Sequence, residues 1–269
     1  MTDNSFSPMS QTEIQSGVLE ILANIIILCE KFGIEYCLIG GGCLGIVRHH
    51  NRFVPWDDDL DIAIFAKDIP VFLEAMNLLP DPYKIQPKQQ KINPTYKVFD
   101  SSTIICLKPD VLNPNLGIFV DVIPMMVWPS NLCKNFDNIV TIVSHDQVSN
   151  SPVIWRRFVK NIIYYLRISG IFLHMQKHFF HPIFMEISCF LYKRKIGIIS
   201  GATGRIWRGK YPWKTIFPLQ EEKLEWLTLK VPNDLKNFLR LLYGDDYMNI
   251  QDPSKRWNHF HQAYRLWER

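Results

Sequence analysis

The chain has 269 residues, of which 47% are hydrophobic and 21% are charged, and its formal net charge at pH 7 is +4. This composition excludes an intrinsically disordered chain and is sufficient for one large domain, or for a core domain with an elaboration. The small charge gives no indication of nucleic-acid binding, so we expect no nucleic-acid partner.

The six cysteines include no CxxC pair, and most of them lie in apolar runs. We therefore expect reduced, buried thiols in a cytoplasmic protein rather than disulfides or a structural zinc site. The N-terminal residues lack the basic and apolar segments of a signal peptide. The apolar run over residues 18–29 contains Glu20 and Asn24 and is too short to span a bilayer.

The first predicted elements are a helix and a strand that lead into a run of glycines. Ser10 and Glu13 have the spacing of a capping box at the start of a helix, and Gly33 is placed to end it. Residues 34–39 have the β-branched and aromatic composition of a strand. The run Gly40-Gly41-Gly42 follows this strand directly.

A second strand, with alternating acids, is predicted after a short helix over residues 43–50. Asp59 and Asp61 alternate with Leu60 and Ile62, and this period of two indicates a strand. Because residues two apart on a strand lie on the same face, both carboxylates leave the strand side by side.

The remaining predicted elements mix helices and strands, which favours an α+β or α/β core. They are a helix over residues 67–79, a hairpin of strands over 96–99 and 103–107, a strand over 117–123 that carries Asp121, and a helix over 233–243.

Residues 153–195 differ in character, with eight basic residues, many aromatic and aliphatic side chains, and Glu186 as the one acid. We predict two or three amphipathic helices in this segment. Such a composition suits helices that lie on an anionic membrane surface. The alternative is a helical subdomain that packs on the core and exposes its basic face to water. The charges exclude a simple spanning helix.

The carboxylates indicate a metal site. Two acids held side by side repel each other, and a divalent cation is the usual compensation. Hairpin geometry could place Asp121 against Asp59 and Asp61, which gives hard oxygen ligands suited to Mg²⁺ or Mn²⁺. Sites of this kind serve phosphoryl transfer, in which the metals neutralise phosphate charge and orient the acceptor oxygen.

The glycines and one arginine indicate a phosphate site. A glycine run between a strand and a helix lets the backbone approach a phosphate, and the helix N-terminus offers free N–H groups. The run is neither a Walker loop nor a GxGxxG motif. Arg48 lies one to two turns further along, where a forked donor can neutralise developing charge.

Each of these residues also has a purely structural interpretation. Residues 57–61 could form a solvated acidic turn or a calcium loop, Asp121 a strand-end cap, and Arg48 an ordinary surface residue. The glycines could simply make a tight turn. The two histidines after Arg48 are more often surface residues than ligands, and Trp56 more often packs than stacks on a base.

The stretch from Gly40 to Ile62 resembles the LicD family, which includes bacterial phosphocholine transferases and, more distantly, the fukutin-related proteins of animals. The family pattern is a Gly-Gly turn, then Leu-Gly-x-x-Arg-His, then Pro-Trp-Asp-Asp-Asp-x-Asp. The matching residues are Gly40-Gly41, Leu44 to His49, and Pro55 to Asp61. Residues 119–124 resemble its third carboxylate strand, and residues 229–232 and 242–248 resemble its C-terminal segment.

The resemblance implies a nucleotidyltransferase-type fold with a mixed β-sheet flanked by helices. It also implies metal-dependent transfer of a phospho-alcohol, such as phosphocholine, from a CDP-activated donor to a cell-surface glycan such as lipopolysaccharide. By position, the catalytic ligands of Mg²⁺ or Mn²⁺ would be Asp59, Asp61 and Asp121, with Asp121 either a third ligand or the base for the acceptor hydroxyl. The substrate-binding residues would be Gly41, Gly42, Arg48 on the donor phosphate, and Asp57 assisting the metals.

Two departures from the family pattern are visible. Gly42 stands where the family usually has Thr or Ser, so one hydroxyl contact to phosphate would be missing. The loop from Arg48 to Pro55 is one residue longer than the common spacing, with His50 or Asn51 as the extra residue. Neither departure removes a carboxylate.

The resemblance divides the chain into three parts. Residues 1–130 would form the catalytic core, residues 131–206 a basic and aromatic helical insert, and residues 207–269 a C-terminal segment that completes the domain. Glycan acceptors of this kind can be lipid-linked, in which case residues 153–195 would contact the inner face of the membrane peripherally. Two other functions stay open, a catalytically silent scaffold at a membrane surface and an enzyme that transfers a nucleotide. The presence of all three acids favours an enzyme.

Overall fold

The computed structural model describes residues 6–65, 67–86, 95–109, 111–129, 196–200, 210–256 and 258–266. The predicted helical segment over residues 153–195 lies outside these described residues. The helices, in chain order, are α1 (Gln11–Lys31), α2 (Gly40–Arg48), α3 (Ile69–Met76), α4 (Trp213–Ile216) and α5 (Leu235–Tyr243), and a 3₁₀ turn covers Pro253–Lys255. The strands are β1 (Phe6–Pro8), β2 (Tyr36–Ile39), β3 (Leu60–Phe65), β4 (Tyr83–Gln86), β5 (Tyr96–Asp100), β6 (Thr103–Lys108), β7 (Val111–Asn113), β8 (Phe119–Pro129), β9 (Ile196–Ser200), β10 (Lys210–Pro212), β11 (Gln220–Leu224), β12 (Leu227–Val231) and β13 (Gln262–Leu266).

A mixed seven-stranded sheet forms the centre of the described fold. Its main path runs β10-β9-β8-β3-β2, and β5 pairs with β8 and with β4. Among these described pairs, β3 and β8 run parallel and the others antiparallel. A four-stranded sheet, β1-β13-β6-β7, and the hairpin β11-β12 complete the strands. The predicted α+β class is therefore confirmed.

The start of α1 follows the sequence prediction. The Ser10 hydroxyl accepts a hydrogen bond from the Glu13 N–H, and the Glu13 carboxylate accepts one from the Ser10 N–H, which completes the capping box. By length and composition alone this helix could cross a membrane, and the buried core helices of soluble proteins have the same properties. Its apolar face contacts α3, β5 and β8.

The core is formed by apolar side chains on both faces of the central strands. Ile62 and Ile64 on β3 and Val120 and Val122 on β8 lie on one face and are fully buried, and on the opposite face Ala63 and Ile123 are also buried. Each such side chain contributes roughly 1.5–3 kcal/mol to stability by leaving water. Because β3 and β8 are buried on both faces, their few polar residues stand at the strand starts, where the sheet meets the surface.

The predicted hairpin of β5 and β6 is wrong. β5 pairs with β4 and β8 in the seven-stranded sheet, whereas β6 pairs with β7 and β13 in the four-stranded sheet. The chain turns a corner between the sheets because the Asp100 carboxylate accepts hydrogen bonds from the N–H and hydroxyl of Ser102, at 2.8 and 2.6 Å. The Thr103 hydroxyl then donates to the Asp100 carbonyl and accepts from the Ile118 N–H.

The loop after α2 absorbs the extra residue that distinguishes this chain from the family pattern. His50 and Asn51 both adopt left-handed backbone conformations, with φ of 55° and 65°. The turn between β11 and β12 supports this loop, since the Glu225 N–H donates to the Asn51 carbonyl and the Glu225 carboxylate accepts from the Phe53 N–H. The loop is therefore braced by the C-terminal part of the chain.

Candidate active site

The three predicted metal ligands meet near the N-terminal ends of β3 and β8, two adjacent interior strands of the central sheet. Asp61 on β3 and Asp121 on β8 are register partners, and Asp59 immediately precedes β3. One carboxylate oxygen from each of the three residues lies within 4.8 Å of the others. The strands that bring them together are parallel neighbours, so the expected hairpin geometry was wrong although the expected proximity is present.

The buried carboxylate of Asp59 matches what a cation site requires. Asp59 is 4% exposed, and its Oδ2 atom is buried without a hydrogen-bond partner among the described residues. Burial, together with the neighbouring charge of Asp61, raises the pKa of Asp59 well above its usual range. Burial and the charge of Asp121 raise the pKa of Asp61 to about 7. A hard divalent cation fits this oxygen set, because it would satisfy the orphaned oxygen and offset the repulsion.

The glycines let the backbone of α2 approach these acids. Gly40 has φ of +63°, and a Cβ atom there would lie 2.6 Å from Asp61 Oδ2. A Cβ on Gly41 would overlap Asp57 Oδ2. Both positions therefore need glycine. Gly42 faces Leu38 in the interior instead, so a side chain at this position would not point at the carboxylates.

Asp57 lies on the loop that leads into β3 and is fixed by α1. The side chains of Gln11 and Gln15 both donate hydrogen bonds to the Asp57 carbonyl, at 2.5 and 2.9 Å. Burial and the charge of Asp58 raise the pKa of Asp57 to about 6. The charge of Asp57 in turn helps to raise the pKa of Asp59 and of Asp61.

Asp58 joins the C-terminal segment to the acidic cluster. It is 1% exposed, and its Oδ2 accepts the backbone N–H groups of His259 and Phe260 at 2.8 and 3.4 Å. The His259 ring nitrogen Nδ1 lies 2.9 Å from Asp58 Oδ1 and 3.2 Å from Asp59 Oδ2. Burial alone would lower the pKa of His259, but the hydrogen bond and charge of Asp58 raise it. A protonated His259 therefore offsets part of the negative charge.

Lys97 occupies one side of Asp121. The two residues are register partners on β5 and β8, and Lys97 Nζ lies 2.6 Å from Asp121 Oδ1. The same ammonium group stands 3.4 Å from the ring centroid of Phe119, a cation–π contact. Lys97 thus fixes Oδ1 of Asp121 and offsets part of the negative charge of the cluster.

Arg48 lies beside the site but directs its donors elsewhere. Its Nη1 donates to the carbonyls of Tyr247 and Asn249 at 3.0 and 3.1 Å, and its Nε lies 3.0 Å from His49 Nε2. Burial lowers the pKa of Arg48. Arg48 therefore ties α2 to the C-terminal segment, and among the described residues these hydrogen bonds reach no carboxylate of the cluster.

Asp58, Lys97 and His259 are site residues that the sequence interpretation missed. Lys97 had a detectable signal, because it alternates with the strand residues Tyr96 and Val98 and therefore leaves the face opposite to theirs. His259 had none, since it is separated from Asp58 by 201 positions and no strand pattern surrounds it.

Comparisons with known proteins find similarity to LicD proteins. The family model described as LicD/FKTN/FKRP, nucleotidyltransferase domain, matches residues 33–108, which include the glycines, Asp57 to Asp61 and Lys97. The lipopolysaccharide cholinephosphotransferase LicD of Haemophilus influenzae is 25% identical over 276 residues, covering 94% of this chain and 97% of that protein. Residues 33–108 therefore match the nucleotidyltransferase domain of the LicD/FKTN/FKRP proteins, and nearly the whole chain is similar to a phosphotransferase of the LicD type.

Proposed function

We propose that the protein transfers a phospho-alcohol, phosphocholine or a similar group, from a CDP-activated donor to a cell-surface glycan of the lipopolysaccharide type. The observation that carries the proposal is the acid cluster of Asp59, Asp61 and Asp121 beside Gly40 and Gly41, in which the buried Asp59 Oδ2 accepts no hydrogen bond from the described residues. The similarity to a lipopolysaccharide cholinephosphotransferase suggests the donor alcohol and the acceptor class.

The three acids would hold Mg²⁺ or Mn²⁺ through their facing oxygens. When bound, a divalent cation neutralises charge on the phosphoryl oxygens and favours in-line displacement. Asp59 offers its buried Oδ2, and Asp61 is held at the register position beside Asp121. The glycines keep side chains out of the space in front of these oxygens.

The proposed transfer exchanges one bond between phosphorus and oxygen for another. The acceptor hydroxyl oxygen forms a bond to the phosphorus of the phospho-alcohol, and the bond from that phosphorus to the bridging oxygen breaks. The bridging oxygen keeps the electron pair and leaves as part of cytidine monophosphate. The hydroxyl proton passes to the carboxylate of Asp121 when this residue acts as the base instead of as the third ligand, and Asp59 and Asp61 then hold the cation.

A cytoplasmic location belongs to the same proposal. In the described part of the chain four cysteines are buried free thiols, as a reducing compartment permits. They are Cys29, Cys37, Cys43 and Cys106. Residues 153–195 would provide peripheral contact with the inner face of the membrane when the acceptor is lipid-linked.

Calorimetry with a panel of CDP-alcohols tests the donor assignment. We expect binding of CDP-choline, or of another CDP-alcohol, that requires Mg²⁺ and is lost in Asp61→Ala. Asp245→Asn is the matched control, because the Asp245 side chain is 91% exposed on the surface. Absence of binding by every CDP compound, with folded protein and metal present, would reject the proposed donor.

A further inference from the structure

An indole ring beside two guanidinium groups borders the acid cluster. The Arg256 Cζ atom lies 3.9 Å from the ring centroid of Trp56, and the Arg48 Cζ atom lies 5.7 Å from it. His49 meets the same ring edge-on at 5.6 Å. We call Arg48, His49, Trp56 and Arg256 the Trp56 cluster. It concentrates positive charge next to a group of carboxylates.

The two arginines of the Trp56 cluster use their donors differently. Arg48 is committed to two backbone carbonyls of the C-terminal segment. Arg256 donates one hydrogen bond, from Nε to the Gln251 carbonyl at 3.3 Å. In the part of the chain that the structure describes, no hydrogen bond or ion pair uses the two Nη groups of Arg256. Its fork is therefore oriented by the indole and by Gln251, and no described residue uses the four N–H donors of the two Nη groups.

Both residues of the Arg256–Trp56 stack are close in sequence to the acids. Trp56 stands three positions before Asp59, and Arg256 stands three positions before His259, whose ring contacts Asp58 and Asp59. Three residues span at most about 11 Å of chain. The stack is thus connected through the chain, at two points, to the cluster that would hold the metal.

A CDP-alcohol carries two phosphates. In the proposed reaction the acids and their cation would bind the phosphate that is transferred, so the phosphate of the nucleotide needs another ligand. The carboxylates of Asp57, Asp58, Asp59, Asp61 and Asp121 repel any further anionic group that approaches without a counter-charge. A preoriented guanidinium is the kind of donor that binds a phosphate with two parallel hydrogen bonds.

We propose that Arg256, stacked on Trp56, binds the phosphate of the nucleotide half of the donor, an inference that rests on the proposed function. When the bond from the transferred phosphorus to the bridging oxygen breaks, the electron pair stays on that oxygen and the departing nucleotide gains negative charge. The Arg256 fork stabilises this charge, whereas Arg48, the residue that the sequence assigned to the donor phosphate, holds the C-terminal segment in place.

The test compares Arg256→Gln and Arg256→Lys with wild type in cytidine monophosphate binding and in steady-state kinetics. We expect Arg256→Gln to weaken binding of the nucleotide by about 10- to 100-fold and to raise the KM for the donor, with the KM for the acceptor unchanged. Arg256→Lys keeps the charge but loses the fork, so it should recover only part of the affinity. Arg240→Gln, which removes an exposed arginine from α5, is the control and should behave as wild type.

The outcomes separate this inference from the proposed function. If wild type binds the nucleotide and Arg256→Gln binds it equally well, the inference is wrong and the proposed function is unaffected. If the KM for the acceptor rises instead, the phosphate bound by Arg256 belongs to the acceptor, which also overturns the inference. If wild type binds neither cytidine monophosphate nor any CDP-alcohol, the proposed function fails and the inference with it.

Discussion

Asp61→Asn is expected to lower kcat by about 10³-fold and, in the absence of metal, to stabilise the protein at pH 8. The loss of activity follows because an amide cannot supply the negative charge that the cation requires. The gain in stability follows because Asp61 is held beside Asp59 and Asp121, a position that penalises its ionised form.

The stability advantage of Asp61→Asn over wild type should increase as the pH rises. The pKa of Asp61 is raised to about 7 in the folded protein, above the value of an unfolded chain, by burial and by the charge of Asp121. The stability of metal-free wild type therefore falls as the pH rises from about 4 to about 7, and Asp61→Asn lacks this loss. At pH 8 we expect a gain of about 2 kcal/mol after discounting for partial solvent exposure.

Chemical denaturation at pH 5 and pH 8, without metal and with Mg²⁺, measures how pH and the metal change the free energy of unfolding. Asp61→Asn should gain stability over wild type at pH 8 more than at pH 5, and should lose most of the stabilisation that Mg²⁺ gives to wild type. Asp245→Asn should match wild type in both measurements. Equal stability of wild type and Asp61→Asn at both pH values would show that the acids are not under electrostatic strain.

Asp58→Ala is expected to lower the free energy of unfolding by about 3 kcal/mol and to reduce kcat strongly. Asp58 accepts hydrogen bonds from the N–H groups of His259 and Phe260, and its other oxygen lies 2.9 Å from the His259 ring. Alanine leaves buried donors unpaired and releases His259 from its position against Asp59.

Two further variants distinguish the structural role of Asp58 from its electrostatic role. Asp58→Asn keeps an acceptor for the backbone N–H groups, so it should retain most of the stability while the charge partner of His259 is lost. His261→Ala, in which a neighbouring exposed histidine is removed, should leave activity and stability unchanged. Wild-type stability in Asp58→Ala would mean that this carboxylate does not hold the C-terminal segment.

The sequence was sufficient for the acids because their spacing is a local property. Asp59 and Asp61 lie two apart in an apolar alternation, and that period determines that both carboxylates leave one face. Asp121 was recognisable as a strand residue, but its strand partner was not. Parallel pairing of β3 with β8 depends on which strands meet in the sheet, and no short-range pattern encodes that choice.

The parts of the site that the sequence could not supply depend on contacts between distant segments. His259 reaches Asp58 across 201 positions, and Arg48 reaches Tyr247 across 199. The error over β5 and β6 has a similar cause. The short turn at Ser101 and Ser102 suggested a hairpin, whereas hydrogen bonds to Asp100 and pairing with other strands direct the two segments into different sheets.

The C-terminal segment therefore belongs to the functional site rather than to its periphery. The family model covers residues 33–108, yet the described site also takes Asp121 from β8 and His259 from beyond the 3₁₀ turn. Arg48, Trp56 and Asp58 each contact this last segment. Three separate interactions therefore hold it against the site.

The most direct test of the central claim is analysis of the products formed from CDP-choline and a deacylated lipopolysaccharide in the presence of Mg²⁺. We predict equimolar cytidine monophosphate and glycan carrying one added phosphocholine, with no product after metal removal or in Asp61→Asn. Release of free phosphocholine with the nucleotide attached to the glycan would instead identify a nucleotide transfer. Absence of any product with every CDP-alcohol, from folded and metal-loaded protein, would contradict phospho-alcohol transfer.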